Sequence, residues 1–203
     1  MTEMDRALSQ LSFIHDRMAA STRFRGLAPQ AVAFTGVLAF AAAGVQSALP
    51  KLLGSGPTAF VLLWTAVAIA ATTLIGGEAV SRARRLHGSM ADAMIGSTLR
   101  LLLPFGVAGA TITTVILKVA PETAWILPGL WQMLVALIGF CSVATLPRTI
   151  VWPASWYFIC GTAAMLIAGR NATLDPWLMG IPFGVGQLIT AWVLHKAAGC
   201  HDG

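Results

Sequence analysis

The sequence predicts an all-α membrane protein, a polytopic bundle of six transmembrane helices, from two observations. Of its 203 residues 57% are hydrophobic and only 10% are charged, whereas soluble domains carry roughly 25% charged residues. The charges are also clustered, because none lies between Arg25 and Lys51, between Lys51 and Glu78, or between Glu122 and Arg148. This pattern excludes a soluble enzyme, a nucleic-acid-binding domain and a disordered protein.

Six charge-free stretches are long enough to cross a bilayer, which takes about 20 helical residues. They are apolar throughout, whereas strands that cross lipid alternate apolar and polar residues, so each span must be helical. The predicted spans cover about residues 30–49, 58–77, 101–120, 126–146, 150–169 and 177–195.

Short loops divide the predicted spans into three helical hairpins. The loops after spans one, three and five are short, so the helices that they join are expected to pack side by side. A proline near the start of each odd span (Pro29, Pro104 and Pro153) suggests that one hairpin is repeated three times. The predicted organisation is a cytoplasmic amphipathic helix at 1–26, hairpins at 27–78, 101–147 and 148–203, the last with a short cytoplasmic tail, and a cytoplasmic connecting helix at 79–100.

Basic residues beside the spans predict the orientation in the membrane. If the N-terminus is cytoplasmic, ten of the 13 lysines and arginines lie on that side, and only Lys51, Lys118 and Arg170 lie on the other. This bias predicts that both termini are inside the cell. The short loops and compact design are typical of bacterial proteins, which indicates the inner (plasma) membrane.

The two predicted cytoplasmic helices share the motif His-x-x-Met-Ala, at His15 and Met18 and again at His87 and Met90. A step of three residues puts the histidine and the methionine on one helix face. Imidazole with thioether suits copper(I), or the axial positions of haem iron, so these four residues are candidate metal or haem ligands. The alternative is a packing face, because methionine commonly fills apolar stripes.

The predicted spans contain no carboxylate, lysine or histidine at mid-depth, which argues against the proton relay that proton-coupled carriers use. Glu78 comes closest, at the inner end of span two. Arg82 follows four residues later on the same helix face, so the two side chains are expected to form an ion pair.

Neutral polar residues are the remaining candidates within the spans. Gln132 and Gln187 occupy related places in a weak repeat and could face each other, either as a hydrogen bond between helices or as contacts to a ligand. Pro182 interrupts the backbone hydrogen bonds of its helix and could shape a cavity. The candidate pocket residues are therefore Gln132, Gln187, Trp131, Pro182 and Gly184, and the candidates for close helix packing are Gly180, Gly184 and Gly186.

Four motifs distributed over most of the chain carry a resemblance: Phe24-Arg25-Gly26, Arg84-Arg85-Leu86-His87, Leu127-Pro128-Gly129-Leu130-Trp131-Gln132 and Met179-Gly180-Ile181-Pro182-Phe183-Gly184-Val185-Gly186-Gln187. In these motifs the chain resembles a loosely defined family of uncharacterised bacterial six-span inner-membrane proteins. The resemblance implies genes encoded beside winged-helix regulators and a sensory or stress-linked role. It assigns no functional residue.

No signature of an enzyme is found, such as Gly-x-Ser-x-Gly, His-Glu-x-x-His or a phosphate-binding glycine loop, so no catalytic residue is predicted. The expected function is non-enzymatic: a bundle that binds an apolar ligand or lipid, or anchors a partner, with the cytoplasmic helices reporting its state. The alternatives are a small exporter or channel subunit that acts as an oligomer, and a carrier of haem or copper. The expected partners are the lipid bilayer and a second copy or another protein, without nucleic acid.

Overall fold

The structure, a computed structural model, describes residues 28–54, 56–87, 91–144, 146 and 148–199, all of them in helices or short connections. The amphipathic helix expected over 1–26 lies outside these residues. Six helices are long and apolar enough to span a membrane, which confirms the predicted six-span, all-α, multi-pass membrane protein. The long helices are α1 (Pro29–Ala48), α2 (Pro57–His87), α3 (Ala91–Val119), α4 (Leu127–Cys141), α5 (Val151–Asn171) and α6 (Trp177–Gly199).

Prolines begin several of these elements. Pro29 and Pro57 are the first residues of α1 and α2, and Pro121 begins the 3-10 turn Pro121–Ile126 that leads into α4. A proline suits the first helical turn because its missing N–H has no intrahelical acceptor there. Pro104 departs from the expected pattern and lies inside α3, because that helix begins at Ala91, well before the apolar stretch.

The connecting helix expected over 79–100 is divided between two helices. Residues 79–87 continue α2, which runs for 31 residues, and residues 91–100 form the first turns of α3. Two glycines, Gly76 and Gly77, stand at the end of span two. Glycine weakens a helix but does not break it, because it keeps the backbone N–H that proline lacks. The helix therefore continues through both glycines and past the apolar stretch.

The helices pack in chain order around the bundle, and the circuit closes between α6 and α1. The most extensive packing joins α1 to α6 and α4 to α5, rather than the helices of a hairpin. At the α1–α6 contact a Cβ on Gly36 would lie 2.9 Å from the Gly184 carbonyl oxygen. At the α4–α5 contact a Cβ on Gly161 would lie 2.8 Å from the Gly129 carbonyl oxygen. The two pairs of helix backbones approach so closely because glycine occupies both sides.

A glutamine accompanies the glycines at both contacts. The Cβ of Gln187 would be 3.2 Å from a Cβ on Gly36, and the Cβ of Gln132 would be 3.2 Å from a Cβ on Gly161. Each glutamine lies three residues after the glycine of its own helix, Gly184 or Gly129. The two glutamines therefore lie on equivalent but different helix interfaces.

Two tryptophans form hydrogen bonds to neighbouring helices. Trp64 Nε1 of α2 donates to Gln46 Oε1 of α1 at 2.9 Å, and the two residues are 18 apart in sequence. Trp131 Nε1 of α4 donates to Thr113 Oγ1 of α3 at 2.9 Å, again across 18 residues. These bonds link α1 to α2 and α3 to α4.

Burial differs strongly among the helices. In the most apolar stretch of α6, 44% of the residues are buried inside the chain, compared with 17% for α2 and 6% for α3. Four helices therefore form a tightly packed unit, α1, α4, α5 and α6. The helices α2 and α3 leave most of their surface to the surroundings, which in a bilayer are lipid chains.

Replacing Gly129 with alanine should destabilise the fold, whereas replacing Gly44 should not. A Cβ on Gly129 would lie 2.5 Å from the carbonyl oxygen of Gly161, a backbone atom that cannot move alone, but a Cβ on Gly44 meets nothing within 4 Å. We expect Gly129→Ala to cost about 1–3 kcal/mol through overpacking and Gly44→Ala to be neutral or slightly stabilising. Equilibrium unfolding of the purified protein in detergent measures both, and equal stabilities would contradict the close backbone contact.

Candidate ligand site

The centre of the candidate pocket is a hydrogen bond that repairs the break at Pro182. Proline has no N–H, so in α6 the carbonyl of Leu178, four residues earlier, loses its usual donor. Gln132 of α4 replaces it, because its Nε2 donates to the Leu178 carbonyl oxygen at 2.7 Å. Helices tolerate proline in a bilayer when a neighbouring helix satisfies the freed group in this way.

Two side chains of α5 bond to the next carbonyls of α6. Trp156 Nε1 donates to the carbonyl oxygen of Pro182 at 3.0 Å, and the Tyr157 hydroxyl donates to that of Phe183 at 3.4 Å. Trp156 and Tyr157 were not among the candidates predicted from the sequence. Pro182 does not point to them, because a proline frees the carbonyl four residues earlier, at Leu178, and not those of Pro182 and Phe183.

Gln132 has bonding capacity that the described residues leave unused. Its side chain is fully buried, with 0% exposure, and its Oε1 has no hydrogen-bond partner among the residues that the structure describes. A buried amide oxygen gains from any O–H or N–H donor that reaches it. Gln132 therefore combines a structural bond with a free acceptor at the junction of α4, α5 and α6.

The other predicted site residues serve the packing of helices. Gly180 and Gly184 face α1, where added Cβ atoms would clash with Ala43 and with the Phe40 ring, and Gly186 faces the Tyr157 ring of α5. All three glycines therefore lie at close contacts between helices. The remaining two are Trp131, bonded to Thr113, and Gln187, half-buried beside Gly36.

The candidate metal or haem ligands fall at the edge of the structure. His15, Met18 and Met90 lie outside the described residues, and His87 is the last residue of α2. Within the described ranges, no group of three or more His, Cys, Asp or Glu side chains could hold a metal ion. The His-x-x-Met hypothesis remains a prediction from the sequence.

A cleft of about 560 Å³ lies between α1 and α2, near the end of the bundle where α1 begins. The space is shallow and open to the surroundings over most of its surface. The lining is mostly aliphatic or small, apart from the Thr73 hydroxyl and the Glu78 carboxylate: Ala31, Ala70, Thr73, Leu74, Gly77 and Glu78. Only Glu78 among these residues was noted from the sequence.

Glu78 forms the ion pair predicted from the sequence. Arg82 Nε donates to Glu78 Oε1 at 2.6 Å, between positions i and i+4 of α2. Both side chains are partly exposed, at 44% for Arg82 and 39% for Glu78. The pair contributes little to stability at this exposure, but it fixes an arginine at the charged end of an apolar cleft.

Comparisons of the chain with protein-family models, curated proteins and solved structures found no match.

A double-mutant cycle should show that Gln132 is coupled to Pro182. Gln132→Met removes the donor and leaves the Leu178 carbonyl unsatisfied, whereas Pro182→Ala supplies a new N–H four residues from that carbonyl. We therefore expect Gln132→Met to cost about 1 kcal/mol less in the Pro182→Ala background than in the wild type. Unfolding in detergent measures all four proteins.

Gln187→Met is the matched control for this cycle. Gln187 lies on the equivalent interface with α1, so its replacement should cost the same with or without Pro182. The proposed bond is ruled out if Gln132→Met also costs the same in both backgrounds.

Proposed function

We propose that the protein is a non-enzymatic, multi-pass protein of the bacterial inner membrane whose bundle binds an apolar ligand or a lipid. The segments on the predicted cytoplasmic side of the bundle would report the bound state to a partner protein. The observation that carries this proposal is the cleft between α1 and α2. The cleft is mostly apolar, and it is lined by the part of α2 that is long and apolar enough to span a membrane.

The shape of the cleft supports a binding role over a packing defect. Gly77 lines it, and a Cβ placed there would meet nothing within 4 Å. The glycines of α4 and α6 differ, because they are closely covered by neighbouring helices. Ala70 also lines the cleft, seven residues before Gly77, with Thr73 and Leu74 between them on the same side of α2.

The resemblance to six-span proteins encoded beside regulators accords with this proposal. A sensory or stress-linked role needs a ligand site in the membrane and a way to pass the signal to another protein. The absence of ionisable residues from the middle of the predicted spans removes the usual basis for proton-driven transport.

Filling the cleft should displace the ligand without unfolding the protein. Gly77→Leu places a large side chain in open space, so we expect normal stability but loss of the bound molecule. The assay is mass spectrometry of small molecules that are retained when the protein is extracted in native-lipid particles. Gly76→Leu is the control, since Gly76 also has open space but does not line the cleft.

Two outcomes would contradict the proposal. One is the same set of retained molecules in the wild type and in Gly77→Leu. The other is release of trapped potassium or dye from vesicles that contain the wild-type protein, which would favour the exporter or channel subunit.

Labelling of single cysteines should establish the proposed orientation, with both termini cytoplasmic. The native Cys141, Cys160 and Cys200 are first replaced by serine. A cysteine at exposed Lys51 should then react with an impermeant maleimide in intact cells, and one at exposed Arg148 should react only after permeabilisation. The reverse pattern would mean that the protein is inserted in the opposite direction.

A further inference from the structure

The cleft between α1 and α2 continues into a row of arginines. Its lining on α2 repeats every three or four residues, from Ala70 to Gly77 and Glu78. At 3.6 residues per turn, Arg82 and Arg85 follow on the same face, one and two turns after Glu78. The apolar cleft and the basic residues therefore form one continuous strip along α2.

The arginines of this strip have hydrogen-bonding capacity for a further ligand. Arg82 uses its Nε–H to bond Glu78, and a guanidinium carries four other N–H groups on its two terminal nitrogens. Arg84 and Arg85 are exposed, and the structure gives neither an ion pair among the side chains that it describes. The charge of the strip is positive, since its two arginines, Arg82 and Arg85, accompany one glutamate, Glu78.

We propose that this strip binds one anionic phospholipid, with an acyl chain in the cleft and the phosphate at Arg82 and Arg85. The inference rests on the proposed function and deepens it by naming the ligand class. An anionic headgroup matches the excess positive charge, and basic sites between transmembrane helices commonly hold such headgroups.

The position of the strip supports a lipid over a soluble anion. Arg82 is the last residue of the stretch of α2 that is apolar enough to span a membrane. A phosphate bound there lies at headgroup depth while its acyl chain points back along α2 toward Ala70. The length of helix between Ala70 and Arg82 is about 18 Å at 1.5 Å per residue, which suits an extended hydrocarbon chain.

The test compares two phospholipids that share their acyl chains but differ in charge. The full-length protein in detergent is titrated with phosphatidylglycerol and with phosphatidylcholine, and bound lipid is counted by native mass spectrometry. We expect wild-type protein to bind phosphatidylglycerol about tenfold more tightly. The double variant Arg82→Gln with Arg85→Gln should bind the two lipids equally.

Two further variants separate the parts of the site. Arg85→Gln alone keeps the ion pair between Glu78 and Arg82 intact, and it should lose part of the preference for phosphatidylglycerol. Arg148→Gln changes an exposed arginine outside the strip and should keep the full preference. If Arg148→Gln loses as much as the double variant, general surface charge explains the binding and the site is wrong.

The remaining outcomes distinguish this inference from the proposed function. If Gly77→Leu reduces binding of both lipids but the wild type shows no preference for charge, the cleft binds lipid and the anionic site is overturned. If neither lipid binds to the wild type, the phospholipid site is overturned, whereas the proposed function is decided by the molecules retained in native-lipid particles. Competition by millimolar inorganic phosphate against phosphatidylglycerol would assign the arginines to a free anion and overturn the lipid site.

Discussion

Helices in a bilayer gain little by burying apolar side chains against each other, because lipid chains are as apolar as leucine. Their association depends on close van der Waals contact, and the helix backbones come closest where both carry glycine. This protein meets the condition twice, at Gly36 with Gly184 and at Gly129 with Gly161. The two contacts join α1 to α6 and α4 to α5. They form the rigid part of the bundle, on which the rest of the structure is arranged.

Polar groups inside this rigid part are used to complete backbone bonding. Pro182 removes one donor from α6, and Gln132 supplies another from α4. Trp156 and Tyr157 of α5 donate to the carbonyls of Pro182 and Phe183 in the same helix. Since an unsatisfied backbone group in hydrocarbon costs several kcal/mol, the proline and its surrounding donors must be explained together. The free Oε1 of Gln132 is the exception within the described part of the chain.

The sequence was sufficient for the features that depend on composition or on neighbours along one helix. The six spans follow from gaps between charges, and the ion pair of Glu78 with Arg82 follows from a spacing of four residues. The sequence did not show which helices pack together, because a glycine indicates a close contact but does not identify the other helix. The division of 79–100 between α2 and α3 was missed because polarity predicts where a span leaves the membrane but not where a helix ends. The cleft was missed for a similar reason, since Ala70 and Gly77 become a site only where no other helix covers them.

Glycine therefore has opposite consequences in the tightly packed helices and in α2. Glycines of α4 and α6 are covered by α5 and α1, whereas Gly77 of α2 faces open space beside Ala31. Small residues that no helix covers leave a space that lipid can enter, and hydrocarbon cannot be replaced by water at this depth without cost. The cleft therefore lies between α1, a helix of the packed unit, and α2, a helix that is mostly exposed. In the proposed sensory role, a ligand at this boundary would contact both α1 of the packed unit and the mostly exposed α2.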